Sequence, residues 1–205
     1  MIFSADDLRH LVIRETLHYL DDWSQAAENL LVGTAIQESG LGFCLKEHCR
    51  LGIYHISPIA HRTVWDRYLV HHPELASQVR GLAGQHGFLE NPDGELLSNL
   101  KYATAIAWCI YRKAGRLLPP ADDIEGLAQI WQQHFHAKPW GRTGDFVRNY
   151  RDLGLQKECK SKTPSSPVEI DDLDTGRLDA GPIAGAPLDG KVMKIKQPGI
   201  GQLRQ

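Results

Sequence analysis

The stretch SQAAENLLVGTAIQESGLG, residues 24–42, constrains this chain more than any other. Ala27, Leu30, Leu31, Ala35 and Ile36 recur at helical spacing with very little polar relief, which predicts a buried helix around which the rest of the chain is arranged. Ser24 is placed as the N-cap, and Gly40 and Gly42 supply the C-terminal stop. Glu38 falls in the last turn, on the stripe of Leu30 and Thr34, because residues four apart share a face. That position is adverse for an anion. The end of a helix carries about half a negative charge, and apolar surroundings disfavour an ionised carboxyl. Both effects favour the neutral form, as a proton donor requires. A solvated Glu on a frayed helix end is the plainer alternative.

The remaining pattern is also helical. Ala5 to Tyr19 carries Leu8, Leu11, Val12, Glu15 and Tyr19 at helical intervals. Gly52 to Ile56 alternates and suggests a short extended stretch or turn; beyond a small hairpin no strand is expected. Ser57-Pro58 opens a helix in the preferred order of cap and first turn, with Ala60 or His61, Val64, Trp65 and Tyr68 facing inward, and Pro73 ends it. Glu74 to Ala83 reads as a short helix, FLENPDGE as a loop, and Glu95 to Lys113 as the longest helix. Asp122-Asp123 cap another with Ile124, Leu127, Ala128 and Trp131, and Thr143 caps a last short one. The expectation is a mainly α domain over residues 1–153.

After Gly154 the composition changes. Residues 154–205 carry repeated Pro and Gly with isolated apolar residues, too few to bury a core. They read as a C-terminal arm, either extended over partner subunits or disordered.

Composition narrows the function classes. With 205 residues and a formal net charge of -2 the chain has no general attraction for nucleic acid, and no basic stripe. No apolar run is long enough to span a membrane, and MIFSADDLRHL lacks the basic start and apolar core of a signal peptide. Of the cysteines, Cys109 lies in an apolar helix as a small core residue, while Cys44 and Cys49 flank a loop where a local disulfide or a site shared with His48 is conceivable. A C-x4-C pair without a matching second pair argues against zinc, and free thiols are the default. No metal and no cofactor are expected.

The strings AIQESGLG and GIYHISPIAHRTVW resemble the soluble lytic transglycosylase and goose-type lysozyme group, and most of all the lysozyme-like proteins carried in the virions of tailed bacteriophages. There a Gln-Glu-Ser-Gly-Leu segment precedes a Pro-x-x-His-x-x-Trp-type helix, here Pro58, His61 and Trp65. LAQIWQQHFHAKPWGRTGDFVRNY sits where that group has an Ala-Tyr-Asn-type segment. The resemblance covers residues 20 to 153. It implies a lysozyme-like α fold, Glu38 as the catalytic acid, and cleavage of peptidoglycan glycan strands between N-acetylmuramic acid and N-acetylglucosamine.

The same resemblance assigns substrate contacts to Ser39, Tyr54, His55, Phe135 and His136, with His55 and His136 departing from the group's Gln and Asn. Ser39 reads equally as a helix C-terminal cap. Near the motif only Glu47 and Asp66 offer a second carboxylate. Lytic transglycosylases act with one Glu, so their chemistry is favoured over hydrolysis. Location in a virion, contacts of residues 154–205 with other virion proteins, and a homo-oligomer within an assembly complete the expectation. The alternative is a catalytically degenerate domain serving as a structural subunit of a phage tail or internal assembly.

Overall fold

The computed structural model describes residues 4–115, 117–135 and 142–154, and they are mainly helical. The predicted arm from residue 155 onward, like His136, lies outside the described residues.

The helix foreseen at the centre is there. It runs Gln25–Ser39, here α2, with the Ser24 hydroxyl accepting from the Ala27 N–H and Gly40 in the left-handed conformation that closes the last turn. Every residue from Ala27 to Ile36 is buried. Such a helix has no solvent face, so its neighbours must enclose it.

The first neighbour, α1, is built from Ala5–Asp7, a π-helical Leu8–Ile13, and Arg14–Tyr19. The wider π turn changes which side chains face inward. Leu8, Ile13 and Leu17 are buried, whereas Leu11 and Tyr19, expected on the packing face, are exposed. The others are α8 (Ile124–His134), α9 (Thr143–Asn149) and the π-helical run Tyr150–Gly154 that continues it. The approach of α9 is close enough that a Cβ on Gly33 would meet Phe146 Cζ at 2.1 Å.

Between α2 and the second half lies a two-stranded antiparallel hairpin, β1 (Lys46–Glu47) and β2 (Arg50–Leu51), with Glu47 opposite Arg50. Then come α3 (Pro58–Arg67), α4 (Pro73–Leu82), α5 (Gln85–Glu90), α6 (Glu95–Ser98) and α7 (Leu100–Lys113). Ser57 caps α3 as expected, accepting from Ala60 N–H. Buried His61 joins α3 to α7: Nδ1–H donates to Asp93 at 2.7 Å, and Nε2 accepts from the Tyr102 hydroxyl at 2.6 Å. Trp65 donates to the same hydroxyl at 2.9 Å. The Pro58-His61-Trp65 pattern is a structural fastening here.

Three boundaries differ from expectation. FLENPDGE contributes to α5 and to a 3-10 turn at Pro92–Gly94, because the Glu95 carboxylate accepts from Gly84 N–H at the start of α5. The 95–113 helix is broken at Asn99, whose side chain caps α7 through Tyr102 N–H and donates to Leu82 O. Arg142, not Thr143, occupies the cap position of α9, without a side-chain bond.

The start of α2 holds a buried charge. Glu28 has no exposed side chain, and its carboxylate accepts from Arg9 at 3.1 Å, Arg14 at 2.8 and 3.0 Å, and the Trp23 indole at 3.0 Å. Burial pushes this carboxyl up, but the donors from Arg14, Trp23 and Arg9 outweigh it and hold it at about 2. A carboxyl held below its ordinary 4.5 contributes stability above that pH and loses it as the pH falls towards 2. We therefore expect Glu28→Gln to cost about 3 kcal/mol in urea unfolding at pH 7. Between pH 4.5 and 2 the variant should lose less stability than the wild type; parallel acid profiles would contradict this.

Candidate active site at the end of the buried helix

At the other end of α2 the chain leaves through Gly40, which lets it turn back beneath its own last turn. The Ser39 hydroxyl, buried, donates to Ile53 O at 2.6 Å and accepts from Gly42 N–H at 2.9 Å. One side chain thus ties the Glu-Ser-Gly turn to the segment Gly52–His55. That segment is itself a tight turn: His55 N–H donates to Gly52 O at 3.0 Å, and Leu51 and Ile56 pair in both directions. Gly52 has φ +75°, and a Cβ there would lie 1.8 Å from Leu96 O, so both backbone and space require glycine.

Glu38 points inward from this junction. Its side chain is only 4% exposed, and both oxygens accept hydrogen bonds. Arg50 Nη1, from β2, donates to Oε2 at 3.0 Å, and the Trp131 indole, from α8, donates to Oε1 at 3.0 Å. This corrects the expectation of a carboxyl opposed by apolar neighbours and a helix dipole alone. Guanidinium and indole are donors only. Glu38 is furnished as an acceptor, and a charge this deep needs such partners to be tolerated.

The other expected site residues fall around this centre with different duties. Tyr54 has no exposed surface, and its hydroxyl bonds Thr104 Oγ1 at 3.0 Å. Burial pushes its phenol up. Tyr54 fastens the turn to α7 and presents no atom at the surface. His55 is 3% exposed, with φ 48°, and its Nε2–H donates to Cys44 O at 2.7 Å. Its nearest acidic neighbour is Glu47, whose Oε2 is 3.6 Å from Nδ1. A left-handed conformation in a non-glycine residue costs about 1–3 kcal/mol, and the surrounding bonds have to hold it. Phe135, at the end of α8, is partly exposed and stacks on Tyr111 at 5.3 Å.

Tyr111 in turn bonds Thr34 on α2, at 2.7 Å. Cys44 and Cys49 are exposed free thiols and Cys109 is buried, its thiol pushed up to about 12 by burial. Among the described residues no group of three or more His, Cys, Asp or Glu is arranged to hold a metal, and no helix is long and apolar enough to cross a membrane.

Among the described residues, Arg50 and Trp131 are the contacts of Glu38 that sequence reasoning missed. Trp131 carried a signal, since it lies four residues before Phe135 on the same helix face. Arg50 carried one only in retrospect: a buried carboxylate calls for a planar, always charged partner, and Arg suits that better than Lys46 nearby. Three clefts of ≈ 390, 340 and 610 Å³ are lined by described residues, and Glu38 lines none of them. The connection 136–141 between α8 and α9 lies outside the described residues.

Compared with protein-family models, with curated proteins and with solved structures, the chain finds no match. The geometry predicts a clear contrast between two left-handed glycines. Gly52→Ala should lower the unfolding free energy by well over 2 kcal/mol through strain and the Leu96 clash. Gly115→Ala, at φ +65° with open space, should cost about 1 kcal/mol. Equal urea midpoints for the two variants would contradict this account of the turn.

Proposed function

We propose that the protein is a lysozyme-like, peptidoglycan-cleaving domain of lytic transglycosylase type, carried in a phage virion, with Glu38 as its acid and base. The observation that carries this reading is convergence. The Glu-Ser-Gly turn, the Gly52–His55 turn and the described parts of the 127–150 block are separate segments of the chain, and each is singled out by resemblance to the same group. They meet at the last turn of α2: Ser39 bonds Ile53 O, Trp131 bonds Glu38 from 93 positions away, and Asn149 bonds Gln37 at 2.9 Å.

In this reading Glu38 takes a proton from solvent as it enters the cycle and gives it to the glycosidic oxygen as the bond from C1 of N-acetylmuramic acid breaks. The sugar's own C6 hydroxyl then attacks C1, and its proton returns to Glu38. The product is a 1,6-anhydro ring, no water is consumed, and Glu38 is restored. One carboxylate suffices. Glu47, half-exposed beside His55, and Asp66, exposed on α3, are poorly furnished as a second.

A second reading is favoured by the Arg50–Glu38 pair and by the burial of Ser39, Tyr54 and His55. In it the same junction is a structural knot, and the protein is a helical subunit of a phage tail or internal assembly without turnover. Murein clearing by the purified full chain separates the two. The enzymatic reading expects clearing that Glu38→Gln abolishes, by at least about a hundredfold, while the variant keeps its helical circular dichroism. A folded wild type that clears no murein supports the structural subunit and rejects the enzyme.

A further inference from the structure

The three clefts differ in charge. The ≈ 390 Å³ cleft sets Glu125 and Asp152 against Arg148 and Arg151, and the ≈ 610 Å³ cleft sets Asp21, Asp22 and Glu74 against Arg112. No acid is among the residues lining the ≈ 340 Å³ cleft, which lies between α3, the end of α7 and the end of α8. Its one lysine or arginine is Lys113, which makes no ion pair with a described residue.

The other walls of this cleft supply three further qualities. Ala60 and Val64 from α3, with Ile110 and Ala114 from α7 and its end, give it an apolar floor. The Gln133 amide, exposed at the end of α8, adds N–H donors. Thr63 adds an acceptor only, because its single hydroxyl proton goes to Ile59 O at 2.7 Å and leaves the Oγ1 lone pairs.

We propose that this cleft holds the carboxyl-terminal D-alanine of a murein peptide stem. The inference rests on the reading of the protein as a peptidoglycan-cleaving domain and extends it to the peptide half of that polymer. Such a terminus carries a carboxylate, a methyl group and an amide N–H within one residue. Lys113 and the Gln133 amide meet the carboxylate, the floor takes the methyl, and Thr63 Oγ1 accepts the N–H. The lactyl group of N-acetylmuramic acid also sets a methyl beside a carboxyl. In murein, however, that carboxyl is amide-bonded to the stem and has no charge to offer Lys113.

The reach is adequate. Gln133 and His134 line the cleft two and three positions after Trp131, whose indole is 3.0 Å from Glu38 Oε1. That spacing is about 3–4.5 Å along the axis of a helix about 10–12 Å wide. An extended pentapeptide spans up to about 17 Å, so a stem borne by the sugar at Glu38 bridges the two.

The test titrates the full chain with N-acetyl-D-alanyl-D-alanine, followed by NMR at the Ala60, Ile110 and Ala114 amides, beside a murein-clearing assay. Saturable shifts at millimolar dipeptide are expected. Binding should weaken about fivefold for the carboxamide of the same dipeptide and for Lys113→Gln, the size of one exposed charge pair, and Lys113→Arg should restore it. No saturable shift, equal binding of acid and carboxamide, or a Lys113→Gln chain equal to wild type overturns the inference. Free N-acetylmuramic acid binding as tightly as the dipeptide overturns the assignment to the stem. Clearing of murein without dipeptide binding leaves Glu38 as the acid and removes this site. Dipeptide binding without clearing rejects the enzyme and keeps the cleft as an anchor for murein stems.

Discussion

A helix enclosed on every side cannot leave a charge unanswered, and α2 carries two buried carboxylates. Glu28 near its start and Glu38 at its end are both withdrawn from water, and each is met by arginine and by an indole N–H. The cost of dehydrating an anion is several kcal/mol, offset only where partners arrive with good geometry. This requirement fixes what surrounds α2. At the first end α1 has to bring Arg9 and Arg14 to it. At the second the hairpin has to bring Arg50 and α8 has to bring Trp131.

The two ends differ in a way that bears on function. Glu28 is held by Arg9, Arg14 and Trp23, together with Gln25, and its oxygens are saturated within the core. Among the described residues, Glu38 is met on one oxygen by a residue of the core and on the other by a residue of a small hairpin. The backbone around it is unusual too: Leu41 and His55 both adopt positive φ, and Gly40 and Gly52 lie in the same region. Strain of this kind tends to collect at functional sites and is maintained by the bonds around it. Here those bonds are Ser39 to Ile53 O, His55 to Cys44 O and Tyr54 to Thr104.

Much of the architecture was legible in the sequence because helices announce themselves locally. Ser24, Ser57 and Asp123 each accept from a backbone N–H in the following turn, as residues of their type before an apolar pattern should. Two of the three misread boundaries are decided by contacts beyond the local turn. Glu95 reaches back to Gly84 to start α5, and the Asn99 amide reaches Leu82 O. The exposed Leu11 followed from a π turn that a 3.6-residue period does not anticipate.

Within the site, the position of Glu38 was legible but its company was not. Arg50 lies twelve residues on in a segment with no periodicity, and Trp131 lies 93 away. The resemblance assigns substrate contacts to Tyr54 and His55, and the structure buries both, using their polar atoms to fasten the turn. The account therefore stands or falls on what a carboxylate so enclosed can do to a sugar. Mass analysis of murein after incubation with the full chain tests that most directly. The account predicts soluble muropeptides ending in 1,6-anhydro-N-acetylmuramic acid. Fragments with ordinary reducing ends, or no soluble fragments at all, would contradict it.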